Sequence, residues 1–494
     1  MDAVDVAIVG AGPAGLGVAL MLGRVPDIRF LVLEKEVIGA SFRRWPLQTR
    51  FITPSFYSNP FGLADLNAIS ERSSPVLAAR SEHLNGEQYA NYLELIADSY
   101  QLPVLSNCSV EAVAPLSQGG FVLRTDRGEL YSRFLIWATG EFQFPDLSPF
   151  PGAHCCRHYA TVRDWSREYA LGVDAFDYSL SRESLGRSQG QGTTSCRSFN
   201  AAGDPVHASR EAEGGAVSRV DAPATCSVQE LECRRLTIIG GYESAVDSAV
   251  QLIQLGHHVR LLSRRARWDI THHPDPSLSL SPYTFERLQQ ALATGRLELV
   301  LGVDVVKVCY EPLDADARWR AEGTEANLPL GLNDEIGSLQ RPARSEGVDT
   351  HDIDRGSPLS GGKGVVTEDI FKYRIYAADG RSWVCERPPI LGTGFLSGGG
   401  ARQIAELWDW NEDDHVLLTE NDESTRYPGL FLVGPQVRQD ARIFCFIYKF
   451  RQRFARIAAQ IAARMNVTVP EQAEMLTTSW GPFGNQDCCD DCAC

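Results

Sequence analysis

The stretch "DVAIVGAGPAGLGVALML" near the start of the chain places Gly10, Gly12 and Gly15 between a short apolar run and an apolar helical pattern. This G-x-G-x-x-G spacing constrains the fold more than any other feature. The first glycine permits a tight turn, the second lets the backbone approach a pyrophosphate, and the third lets helix pack closely on strand. The helix N-terminus then aims free amides and positive dipole at phosphate. Nineteen residues beyond Gly15 the next apolar run, "FLVLE", ends on Glu34, where a carboxylate can accept hydrogen bonds from both hydroxyls of a ribose. Strand, glycine turn, helix, strand and acid together predict a dinucleotide-binding α/β unit.

A second unit of the same kind occurs at "RRLTIIGGYESAVDSAVQLIQLGHHVRLLSRR". Gly240 and Gly241 make the turn, but Tyr242 stands where the fingerprint has its second glycine, so this side chain must point away from a bound pyrophosphate. Ser244 and Ala245 open the following helix. Its second strand ends on Ser263, Arg264 and Arg265 rather than on an acid. Arginine forks at that place match the 2'-phosphate of NADP and find nothing comparable on NAD, which predicts NADPH.

Composition narrows the remaining classes. The formal net charge of -16 argues against nucleic acid or an anionic membrane as partner and favours a small molecule. With 494 residues and 44% hydrophobic composition, the chain is expected to form two or three domains. No apolar run approaches the roughly 20 residues needed to span a bilayer, and no secretory leader pattern precedes "DVAIVGAG", so the expected location is the cytoplasm. Of 13 cysteines, nine are scattered through the body at no framework-like spacing, which predicts free thiols. A homodimer is compatible with all of this.

Further segments extend the pattern. "LIWATGEFQFP" and "PPILGTGF" are each an apolar strand ending in a small glycine-containing turn, one downstream of each fingerprint. "GLFLVGPQVRQDARIFCFIYKFRQRFARIAAQIA" is expected to form a strand, a Gly434-Pro435 turn and a long helix. With "IGASFRRWPLQTRFITPSFYSNPFG" and "GGYESAVDSA", these stretches resemble the flavoproteins with two dinucleotide-binding domains, flavin-containing monooxygenases and pyridine nucleotide-disulfide oxidoreductases. The resemblance implies FAD in the first unit, held by Gly10, Gly12, Gly15, Glu34, Trp45, Val110, Thr139, Gly140 and Gly434. It implies NADPH in the second, held by Gly240, Gly241, Ser244, Ala245, Ser263, Arg264 and Arg265. The start of the final helix is expected to face a flavin carbonyl, with Arg438 and Arg442 nearby.

The expected fold is therefore α/β, with two Rossmann-type three-layer nucleotide-binding domains, disordered inserts and a Cys-rich C-terminal tail. The FAD-binding domain would occupy residues 1–165 and 391–465, and the NADPH-binding domain, inserted into it, 233–390. The inserts, at 166–232 and about 318–363, are rich in Ser, Gly, Arg and Asp and lack a sustained apolar period.

The likeness has departures. "GASFRRWP" has no cysteine pair, and in "PATC" Cys226 stands alone because Pro223 occupies the position of a first cysteine. The monooxygenase pattern F-x-G-x-x-x-H-x-x-x-W keeps Phe150 and Gly152 but has Cys156 for the histidine and Ala160 for the tryptophan. His272 and His273 in "THHPDP" receive no assignment. The chain ends in "DCCDDCAC", with Cys488, Cys489, Cys492 and Cys494 among three aspartates on an arm spanning 466–494. Three readings of this arm stay open. The cysteines relay electrons from reduced flavin, with Arg451 and Arg453 offsetting the aspartates that raise thiol pKa values. They bind a soft or borderline metal ion. Or they are an exposed end without a role. The function expected is an FAD-dependent NADPH oxidoreductase resembling flavin monooxygenases. The alternatives are a thiol-disulfide or metal-ion reductase working through the tail, and a flavin-containing metal-binding or sensor protein without turnover.

Overall fold

The computed structural model describes residues 2–56, 65–171, 235–265, 278–312, 371–440 and 442–468. Cys226, His272, His273, most of the segment 166–232, the segment 318–363 and the four terminal cysteines lie outside the described residues.

The chain opens with strand β1 (Asp2–Val9), the helix Pro13–Leu22 and β2 (Phe30–Leu33). Four further strands follow: β3 (Val104–Leu105), β4 (Val110–Pro115), β5 (Phe121–Thr125) and β6 (Gly128–Trp137). Hydrogen bonding orders them β3-β2-β1-β6-β5-β4, with β1, β2, β3 and β6 parallel and β4 to β6 an antiparallel meander. Because β1 is covered on both faces, Val6, Ala7 and Ile8 are all fully buried, which is why the opening run is continuously apolar rather than alternating.

A second sheet interrupts the first in sequence. Its strands are β7 (Arg157–His158), β8 (Leu236–Ile239), β9 (Val259–Ser263), β10 (Leu297–Leu301) and, after the third sheet, β14 (Ile390–Leu391), in the parallel order β10-β9-β8-β14-β7. The helices Glu243–Gln254 and Pro282–Ala293 belong to this unit. A three-stranded meander of β11 (Val305–Pro312), β12 (Phe371–Ala377) and β13 (Ser382–Cys385) packs beside it. After the small hairpin β15 (Asp409–Trp410) and β16 (Val416–Leu417), strand β17 (Leu430–Leu432) returns to the first sheet, pairing in parallel with Leu135–Trp137 of β6. The second nucleotide unit is thus inserted in the first.

The C-terminal helix differs from the sequence expectation. It does not start at Gly434-Pro435; a short hairpin, β18 (Arg438–Gln439) with β19 (Arg442–Ile443), comes first, and helical structure begins at Ile447. The intervening chain cannot run on as a helix, since Asp440 holds φ at +52° and Arg438–Gln439 pairs antiparallel with Arg442–Ile443. The last segment, Phe454–Met465, packs on the first helix. Contact is close because Gly17 has no side chain: a Cβ there would sit 1.9 Å from the buried Phe454 ring.

Candidate functional site

A cavity of 430 Å³ runs from the C-terminal ends of β1 and β2 to the junction of the two sheets. At its first end lie Gly10, Gly12, Glu34 and Val110. The glycines do different jobs. Gly10, at φ +106°, leaves no room for a side chain, as a Cβ would meet the Ala138 carbonyl oxygen at 2.5 Å. Gly15 is tighter still, with the Gly10 carbonyl oxygen 2.0 Å from a Cβ position, so it is a buried packing contact and does not line the cavity. Gly12 differs from both: nothing lies within 4 Å of its Cβ position, and no side chain caps the helix that starts there. A free helix N-terminus facing open space is what a pyrophosphate requires.

The Glu34 carboxylate is fixed by two backbone amides. One carboxylate oxygen accepts from the Ala11 amide at 2.8 Å, the other from the Glu36 amide at 2.9 Å. Burial raises its pKa, with the Ala11 hydrogen bond and the charge of Arg44 acting in the opposite direction. Thr139, Gly140 and Trp45 also line the wall, and the Thr139 hydroxyl is buried without a hydrogen-bond partner among the described residues. The residues present therefore fit a dinucleotide. Gly434, by contrast, stands behind the wall, its Cβ position 3.3 Å from Ala14, and Pro435 takes the lining position.

The second glycine turn repeats the first. Gly240, at φ +134°, would place a Cβ 2.3 Å from the Gly392 carbonyl oxygen, the counterpart of Gly10 against Ala138. Tyr242 solves its own steric problem by reaching sideways, its hydroxyl donating to the Ser279 carbonyl at 2.7 Å. Gly241 makes room for Ser263, whose hydroxyl donates to the Arg265 carbonyl at 2.7 Å. Ala245 is buried against Gly392. Arg264 is 77% exposed and only 3.8 Å from Asp304, a loose pair that leaves its guanidinium accessible beside the turn. Of the seven residues expected at NADPH, Ser244 alone lines the large cavity. The other six lie outside its lining, at the turn after β8 and at the end of β9.

At the junction the cavity gathers residues that motif reading missed, among them Glu141, Tyr159, Asp247, Arg287 and Phe395. Glu141 directly follows the Thr139-Gly140 turn, and Gln436 donates to its carboxylate at 2.5 Å. Burial raises the Glu141 pKa against the lowering influence of Arg438 and Gln436. Glu243, at the first position of its helix, is tied to the Ser281 amide at 2.6 Å and the Thr284 hydroxyl at 2.5 Å, and burial raises its pKa as well. Asp247 lies four residues further, the one signal in "ESAVD" of a second acid on the same helical face. Trp45, Phe142 and Phe395 form an aromatic wall, with ring centroids 6.3 and 5.5 Å apart in turn.

Other sequence expectations resolve differently. Arg451 and Arg453 do not offer free cations to a tail. Arg451 donates to the Ala68 carbonyl at 2.9 Å, and Arg453 pairs with the fully buried Asp422 at 2.6 Å. Within the incomplete Phe150–Ala160 pattern Gly152 serves close packing: at φ +82° it leaves no room for a side chain, since a Cβ there would clash with the Val308 carbonyl oxygen. Burial pushes the Cys155 and Cys156 thiols up, so neither is a ready thiolate. Among the described residues no group of three or more His, Cys, Asp or Glu forms a metal site, and no helix is long and apolar enough to cross a membrane.

Comparison with known proteins agrees with this geometry. A family profile described as pyridine nucleotide-disulphide oxidoreductase matches residues 7–171, 214–322 and 364–434. A ferredoxin–NADP reductase from Gluconobacter oxydans is 30% identical over 127 residues, 24% of this chain and 33% of that protein; the match thus spans about a third of its length. Among solved structures, a bacillithiol disulfide reductase from Staphylococcus aureus superposes with a TM-score of 0.56 at 16% identity, over 94% of this chain and 99% of that one. A flavin-containing monooxygenase from Stenotrophomonas maltophilia gives 0.55 at 14%, over 94% and 100%. At these identities the structures share the fold.

Proposed function

The chain belongs to the pyridine nucleotide-disulphide oxidoreductase family and is an oxidoreductase working with FAD and NADPH, and from that premise we propose a flavin monooxygenase-like enzyme of the cytoplasm. Its substrate is a small molecule that enters the junction end of the cavity. When bound, NADPH would supply a hydride and FAD would carry the two electrons onward, while the protein binds, orients and excludes water. Gly10 and Gly12 would admit the FAD pyrophosphate and Glu34 would hold its ribose, while Arg264 and Arg265 would take the 2'-phosphate of NADPH. The aromatic wall of Trp45, Phe142 and Phe395 keeps solvent from the junction. Glu141, a carboxyl whose proton affinity is raised, is suited to hold or release a proton there.

One observation carries the choice of second half-reaction. The two described cysteines that line the cavity are Cys108 and Cys445, and they do not form a pair. Cys108 is tied to the ribose end, its amide donating to the Glu34 carbonyl at 2.8 Å, whereas Cys445 precedes the helix starting at Ile447. The junction lined by Glu141, Trp45, Phe142 and Phe395 suits a small diffusible acceptor such as O2, and the terminal cysteines, which lie outside the described residues, make a relay reductase the alternative.

Anaerobic NADPH titration of the oxidised, demetallated holoprotein tests this. Consumption of about one equivalent per FAD, followed by incorporation of label from ¹⁸O2 into a substrate, supports the monooxygenase-like reading. Consumption of about two, with the excess lost on deletion of residues 488–494, replaces it with a tail-relay reductase acting on a disulfide or a soft metal ion. Absence of sustained NADPH oxidation with any substrate leaves a flavin-containing sensor or metal-binding protein.

A further inference from the structure

The loop Leu47–Phe51 is built to meet the second nucleotide unit. The Thr49 hydroxyl donates to the Asp247 carboxylate at 3.0 Å, although 198 residues separate them in sequence. The other Asp247 oxygen takes the Arg287 guanidinium at 2.8 Å, with the two side chains only 15% and 14% exposed. Arg287 in turn lies 5.0 Å over the Tyr283 ring, and Tyr283 stacks on His83 at 3.8 Å with 15° between the planes. His83 Nδ1 is 2.7 Å from the Phe51 carbonyl oxygen, two residues from where the circuit began. Two contacts brace the same loop on its other side: the Leu47 amide donates to the Arg163 carbonyl at 2.9 Å and Gln48 to Asp164 at 2.7 Å. Thr49, Phe51, Asp247 and Arg287 all line the cavity.

We propose that Asp247, Arg287, Tyr283 and His83 form a clasp that holds the NADPH-binding unit at the orientation serving hydride transfer to the flavin, with Asp247 and Tyr283 as positioning residues. The inference rests on the placement of the two cofactors given above. Its logic is geometric. The nicotinamide must be presented from one unit to a flavin held by the other, and in a two-electron transfer of one hydride a misplacement of about 1 Å costs on the order of a hundredfold in rate. Units joined through exposed linkers move by default unless their interface is specifically tied. A partly buried, charge-assisted hydrogen bond joined to a ring stack is such a tie.

The test compares anaerobic flavin reduction in holoprotein carrying Asp247→Ala, Tyr283→Ala or Tyr283→Phe. Both alanine variants should slow reduction by NADPH at least about tenfold while reduction by dithionite and the FAD content stay at wild-type levels. Tyr283→Phe keeps the stacking ring and should keep the wild-type rate. Amide hydrogen exchange at residues 47–53 and 283–288 of the holoprotein should quicken in the alanine variants alone. Unchanged NADPH rates and exchange in those variants would overturn the clasp. Equal slowing under both reductants would also overturn it, because the residues would then be supporting the flavin site in general. If wild-type flavin is not reduced by NADPH at all, the cofactor placement is what fails, and hydrogen exchange still decides the clasp.

Discussion

Substituting each fingerprint glycine by alanine separates folding from cofactor binding, because the structure gives the three positions different neighbours. Gly10→Ala forces a side chain into φ +106° with the Ala138 carbonyl oxygen 2.5 Å away. Backbone strain of this kind costs about 1–3 kcal/mol before any steric term. Gly15→Ala gains about 1 kcal/mol of helix propensity. That gain is outweighed, because the Gly10 carbonyl oxygen lies only 2.0 Å from the new Cβ and forced overpacking costs about 1–3 kcal/mol or more. Gly12→Ala meets nothing within 4 Å and sits at an ordinary φ of -85°. Losing glycine as helix cap costs about 0.5–1.5 kcal/mol. Restricting the unfolded chain returns about 0.4–1 kcal/mol, so the two nearly cancel. The new methyl group does occupy the space a pyrophosphate needs. Loss of one charge-assisted hydrogen bond, about 1.5–3 kcal/mol, weakens FAD binding by about tenfold to a hundredfold. Urea unfolding of the FAD-free proteins and fluorescence titration with FAD measure the two effects separately. The reasoning fails if Gly12→Ala binds FAD as wild type does, or if its apoprotein is destabilised as much as the other two.

Replacing Arg264 and Arg265 together by alanine should lower kcat/KM for NADPH at least about tenfold and leave that for NADH nearly unchanged, as read in a steady-state flavin-reduction assay; an equal loss for both nucleotides would remove the arginines from the 2'-phosphate site. Arg453→Ala should destabilise the fold by about 3–5 kcal/mol, because it strands the fully buried Asp422 carboxylate, and calorimetry or urea unfolding would show this. The histidine contribution to stability should fall as pH drops below about 6.5, opposed by Glu34, Glu141 and Glu243, whose burial-raised pKa values favour the fold on acidification. Burial lowers the folded-state pKa of His158 and of His257, so their contribution is complete above the unfolded pKa and is lost on descent through the folded one. The pH dependence of the urea midpoint between about pH 7 and 5 should differ between wild type and His158→Gln, and identical slopes would contradict it.

What could be read from the sequence was local. Gly10, Gly12 and Glu34 lie within one strand-helix-strand unit, and the physics that selects them acts over 25 residues or so, the reach of a single βαβ turn. Glu141 and Gln436 meet across 295 positions and Thr49 and Asp247 across 198, and no spacing rule links them. The start of the final helix is hidden for a related reason: its apolar period runs back into residues that the left-handed Asp440 diverts into a hairpin.

The two glycine turns carry this one step further. Gly10 abuts the Ala138 carbonyl as Gly240 abuts that of Gly392, so the same local pattern produces the same local packing twice. Gly10 and Gly12 of the first line the large cavity; of the second, with Tyr242 drawn aside to Ser279, Glu243 and Ser244 do so while Gly240 and Gly241 do not. A motif therefore fixes how a turn packs, while the direction in which that turn presents its ligand is decided by contacts between units. Those contacts, at Asp247, Arg287 and the stacked rings of Tyr283 and His83, tie the two units together.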